Sequence, residues 1–137
     1  MTRDLANSVA TPRSLSRLRW GRIVAGAFLL EVILILVLVP PVQVFGLERV
    51  IPFMSPAVFI CGFGVAYWIL RKVPNRPVLH GLLIGIGATV IYLLLCLANP
   101  EGISSVITAY GPFTFVVGNG LRIVACVAGG WASSRRR

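Results

Sequence analysis

The stretch from Trp20 to Val39 constrains this chain most. It is an apolar run of about the length a helix needs to cross ~30 Å of hydrocarbon, and it carries Glu31 near its middle. An ionised carboxylate in oil costs several kcal/mol unless it is paired or reached by water. The rest of the chain must therefore supply a partner for it or a wet path to it.

Three further apolar runs follow, giving spans near 21–39, 53–70, 79–98 and 112–132. Of the 137 residues, 57% are hydrophobic and 12% charged, which lies outside the soluble globular range. The expected fold is all-α: a single four-transmembrane-helix bundle over 20–134, after a basic polar tail (1–19, with a short surface helix from Ser14 to Arg19) and before a basic end (135–137). Prolines set the outer ends of the spans. Pro40 and Pro41 are expected to stop the first, Pro52 and Pro56 to open the second, Pro100 to follow the third and Pro112 to begin the fourth. Val42–Ile51 and Ile103–Tyr110 are apolar but too short to cross, and are expected to lie in the outer interface.

The net charge of +9 comes from Lys and Arg in the connections rather than from a folded basic face with aromatics, so nucleic acid is not an expected partner. The tail with Arg22, the middle loop (Arg71, Lys72, Arg76) and the end (Arg135, Arg136, Arg137) are basic, whereas the other two loops have only Arg49, against Glu48 and Glu101. This bias is expected to place both termini on the cytoplasmic side of the membrane, where the basic flanks touch anionic headgroups. A weak repeat at a spacing of 60 pairs Gly21 with Gly81, Leu34 with Leu94, Pro40 with Pro100, Pro52 with Pro112 and Phe53 with Phe113, as two parallel hairpins would. Cys61, Cys96 and Cys126 lie in different spans at roughly 15, 25 and 10 Å depth, without metal or redox spacing, and read as packing residues. No metal-ligand cluster or cofactor motif is present.

Counting inward at ~1.5 Å per residue puts Glu31 and Arg122 at a common depth of about 15 Å, where they are the only charges. The simplest solution is mutual neutralisation inside the bundle. Arg122 shares a helix face with Gly118, Asn119, Ala125, Cys126 and Gly129, small or polar residues suited to an interior; the third span offers Gly85, Thr89, Tyr92 and Cys96. Either the pair is structural and fixes helix register, or Glu31 or Arg122 meets a proton or a transported solute.

Four small-x-x-x-small pairs, Gly21/Ala25, Gly62/Ala66, Gly81/Gly85 and Ala125/Gly129, fall in the cytoplasmic halves of the spans. Close packing there and bulkier, proline-interrupted outer halves predict a bundle that is tight inside and splayed outside, with any cavity opening outward from Glu31. Trp20, Tyr67, Trp68 and Trp131 form an aromatic belt at the cytoplasmic interface, and His80 is expected to be interfacial.

The stretch Gly26-Ala27-Phe28-Leu29-Leu30-Glu31-Val32-Ile33 resembles the first helix of small multidrug resistance transporters, and Trp68 and Gly85-Ile86-Gly87 are similar to that family's second-helix tryptophan and third-helix glycine pair. The resemblance implies a four-span, proton-coupled exporter of cations with Glu31 as the exchanging carboxylate and Trp68 and Tyr92 lining the site. Gly62, Ala66, Arg71 and His80-Gly81, echoed by Gly129-Gly130, resemble small four-span bacterial membrane proteins of unknown function. A non-enzymatic structural, accessory or self-associating unit, homo-oligomeric or paired with another membrane protein, is the first expectation, and the exporter the second. An enzyme is not expected, because Ser104 and Ser105 are placed across the membrane from His80 and no two acids approach each other in sequence.

Overall fold

The computed structural model describes residues 18–98, 100 and 102–135. The chain folds as α1 (Trp20–Phe45), α2 (Leu47–Leu70), α3 (Pro77–Ala98), a short α4 (Gly102–Tyr110) and α5 (Pro112–Arg135), with no strand among the described residues. The four long helices are each apolar enough to cross a membrane, as the runs in the sequence predict. Only 28–33% of each helix's most apolar window is buried within the protein. Val24, Phe28, Leu36, Ile60 and Val116 face outward, and hydrocarbon is the solvent that suits them.

The helices run up and down, and their packing is not that of a simple sequential ring. α5 packs along α2 and α3, and α1 packs along the same two helices, so α1 and α5 stand diagonally opposite and scarcely touch through their backbones. The interior face of α1 is Ile23, Gly26, Ala27, Leu30, Glu31 and Leu34, a spacing of three and four that places one stripe on one side of a helix.

The span ends differ from those expected. Pro40 and Pro41 lie inside α1 instead of stopping it, and Pro52 and Pro56 lie inside α2, which begins at Leu47. Each proline removes one helical hydrogen bond, but ending the helix at this depth would leave several backbone groups without partners in oil. The reversal comes instead at Gly46, whose φ of 82° suits glycine and whose N–H donates to the Val42 carbonyl (3.0 Å). Val42–Ile51 is thus helical on both sides of a tight turn. Pro112 does open α5, where its missing N–H costs nothing. α5 continues to Arg135, placing that guanidinium 3.7 Å over the Trp131 ring inside the last helical turn. Most of the expected tail and its surface helix, together with Arg136 and Arg137, lie outside the described residues.

Small residues let the backbones meet, as predicted for three of the four pairs. A Cβ on Gly62 would meet Ala125 Cβ at 3.0 Å, one on Gly85 would meet Ile123 Cα at 2.8 Å, and one on Gly81 would overlap the Cys126 carbonyl. Gly129 approaches the Phe63 carbonyl and Ala66 equally closely. Gly21 and Ala25 do not join this packing. Both are exposed, and a Cβ on Gly21 would meet nothing within 4 Å. They lie off the interior stripe of α1, and Gly26 and Ala27 make its close contacts instead, against Ile84 and Gly87.

His80, expected to be interfacial, is buried within the protein in the first turn of α3, at 1% exposure. Its Nε2 accepts the Arg19 N–H (3.2 Å) at the start of α1, so Nδ1 must carry the proton, which it donates to the Arg76 carbonyl (2.9 Å). Arg76 has a left-handed φ of 50° directly before Pro77, in the bend that aims this carbonyl into α3. One imidazole therefore ties the entry of α1 to the entry of α3. Replacing His80 by Ala should cost about 2 kcal/mol, from two hydrogen bonds and a cavity. Unfolding in detergent measures that cost, and faster hydrogen exchange at the Arg19 amide would locate the lost contact.

Candidate functional site

Glu31 on α1 and Arg122 on α5 meet across the diagonal of the bundle. Arg122 Nη1 lies 3.1 Å from Glu31 Oε1, with the two side chains 7% and 5% exposed. This is a close ion pair without hydrogen-bond alignment, since both contacting atoms, and Arg122 Nε, are buried with no hydrogen-bond partner. The Tyr92 ring of α3 lies 4.7 Å from the guanidinium carbon and is itself backed by Phe115, with ring centroids 6.2 Å apart. The ring face offers the cation a second, weaker neutralising surface.

Asn119 sits one turn from Arg122. Its Nδ2 donates to the Phe115 carbonyl (2.9 Å), and its Oδ1 is buried without a partner. A cavity of about 310 Å³ begins at these residues and runs toward the end of the bundle that holds the Gly46 and Gly111 turns. Glu31, Tyr92, Asn119 and Arg122 form its floor. Leu34, Leu38 and Val42 of α1, Met54, Ser55 and Val58 of α2, and Thr114 and Gly118 of α5 form its walls, with Tyr110 of α4 near the mouth. The cavity thus extends from Glu31 into the half of the bundle where the sequence predicts splayed helices.

Of the site residues singled out in sequence, the structure brings together Glu31, Arg122, Asn119 and Tyr92. Thr89 stays apart, donating to the Gly85 carbonyl of its own helix (3.0 Å). Trp68 does not line this cavity. It is 57% exposed and borders a separate groove with Gly21, Arg22, Ala25, Arg71 and Lys72 at the opposite end. The indole is a large amphipathic ring near a helix end, where it faces outward with the Arg71 guanidinium carbon 5.9 Å from it. Two residues were missed. Tyr110 reaches the cavity because α4 folds back over α3 and α5, which no local pattern signals; Gly118 was visible as a small residue on the Arg122 face but not as a wall of open space.

A helical bundle with four spans and a charged pair in its interior defines a multi-pass integral membrane protein. Set against known protein families, curated proteins and solved structures, the chain matches none.

Proposed function

We propose that this is a small non-enzymatic protein of a bacterial cytoplasmic membrane, with both termini in the cytoplasm, whose Glu31–Arg122 pair holds the bundle in register as a structural, accessory or self-associating unit. The observation that carries this is the position of the pair: it joins the two helices that otherwise scarcely touch. The start of α1, the end of α5 and the α2–α3 loop share the end that carries Arg22, Arg71, Lys72, Arg76 and Arg135, where exposed Trp20, Trp68 and Trp131 suit an interface with anionic headgroups. Acid–base chemistry finds no support at His80, because both ring nitrogens are engaged with backbone groups.

The test is Glu31→Gln, Arg122→Met and the two together. Each single change removes one partner and strands the other, whereas the double change removes both, so the double variant should recover most of the lost stability in detergent. A second reading, proton-coupled export of a small solute, is favoured by the cavity that ends on Glu31. It takes precedence if Glu31→Gln keeps full stability and loses only proton-dependent efflux from vesicles.

A further inference from the structure

We propose that the cavity above the pair binds an amphipathic monocarboxylate together with one proton, the carboxylate seating on Arg122 and the proton forming an O–H bond on the Glu31 carboxylate. The proposed site rests on the second of the two readings only so far as the cavity takes a ligand; it does not require movement across the bilayer.

Two observations point to a ligand. Arg122 and Glu31 are more than nine-tenths buried, yet Arg122 Nε, Arg122 Nη1, Glu31 Oε1 and Asn119 Oδ1 have no hydrogen-bond partner at the cavity floor. Above that floor the walls are mainly aliphatic, and a Cβ on Gly118, one turn outward from Arg122, would meet nothing within 4 Å. The space therefore fits a molecule with one polar end and an apolar body.

The sign of the polar end follows from which member of the pair can give up its charge. A cation entering at Glu31 would displace Arg122, and a guanidinium cannot shed its proton in a protein, so an uncompensated charge would remain in the interior. An anion entering at Arg122 displaces Glu31 instead, and a carboxylate is neutralised by a single proton. The site then exchanges one buried carboxylate for another and its net charge is unchanged. Other titratable groups do not upset this balance. Glu31 faces Arg122 and Cys126 on α5, with Tyr92 of α3 beside the guanidinium and Tyr110 of α4 nearer the mouth; the lining residues Met54, Ser55 and Val58 of α2 do not ionise. Asn119 Oδ1 is an acceptor available to the new O–H or to a water beside it.

The full chain in detergent is titrated calorimetrically with octanoate, octyltrimethylammonium and octanol at pH 6 and pH 8. Octanoate should bind best, with about one proton taken up per molecule bound and an apparent affinity that falls about tenfold per pH unit. Gly118→Leu should abolish the binding without lowering the unfolding midpoint, because its Cβ enters open space and leucine favours a helix over glycine. Octanoate, but not octyltrimethylammonium, should raise the midpoint of Glu31→Gln by replacing the missing carboxylate. The proposal is overturned if the folded protein does not bind octanoate, binds it without proton uptake, prefers the ammonium compound, or binds octanoate unchanged in Gly118→Leu. Octanol binding as tightly as octanoate at both pH values would retain the cavity as a ligand site and reject its selectivity for acids. Absence of all three binders alongside recovery in the Glu31/Arg122 double variant would remove the cavity reading and leave the structural one standing.

Discussion

Glu31→Gln should destabilise the bundle by about 3–5 kcal/mol at any pH between 5 and 8, and Arg122→Met should match that cost at pH 8 but not at pH 5. The two deletions look equivalent, since each breaks the same 3.1 Å contact between side chains that are almost fully buried. They strand different partners. Without Glu31, the Arg122 guanidinium stays charged across the whole range, with only the Tyr92 face to answer it. Without Arg122, Glu31 can take a proton and become a neutral acid. In that variant the folded protein holds a proton that the unfolded chain, its carboxyl in water, releases above pH ~4.3. The folded state then binds more protons than the unfolded state, so stability rises as the pH falls, by up to about 1.4 kcal/mol per pH unit. Unfolding of both variants and the native chain in one detergent at pH 5 and pH 8 measures the difference. Equal pH profiles for the two would mean that the stranded charges are reached by water and that the interior at this depth is not dry.

The pair was legible because charges are rare in apolar spans and depth can be counted along a helix. With only one acid and one base at a given level, the physics of oil does the matching. Which way each helix faces was not legible to the same degree. In water an amphipathic stripe marks the inside, but a helix in a bilayer meets apolar surroundings on every side, so the spacing of Gly21/Ala25 and of Gly81/Gly85 reads alike although only the second is buried. The proline boundaries of the first two spans failed for a related reason. Pro40, Pro41, Pro52 and Pro56 would end helices where water can take over the freed carbonyls, and here the helices run on to Gly46. His80 looked interfacial by position, and its burial depends on two backbone groups, Arg19 N–H and Arg76 C=O, that carry no side-chain signature. The cavity's outer wall was hidden until α4 could be placed against α5.

Gly81→Leu and Gly129→Leu should each cost more than about 3 kcal/mol, because the added atoms face backbone rather than a movable side chain. At Gly81 even a single Cβ overlaps the Cys126 carbonyl, and at Gly129 it lies 2.5 Å from the Phe63 carbonyl and 2.9 Å from the Tyr67 nitrogen. Neither α2 nor α3 can give way without moving along α5. Alanine at either position should cost about 2 kcal/mol, whereas Gly21→Ala, on the exposed side of α1, should gain up to about 1 kcal/mol from helix propensity alone. The effect should also reach the ion pair. α5 is drawn against α2 and α3 by Gly62, Gly81, Gly85 and Gly129, and this seating lets Arg122 span the diagonal to Glu31. Gly81→Ala should therefore weaken the coupling measured between Glu31→Gln and Arg122→Met, and Gly21→Ala should leave it unchanged. If Gly81→Leu unfolds at the native midpoint, the helices are not held at backbone contact, and the reach of Arg122 needs another cause.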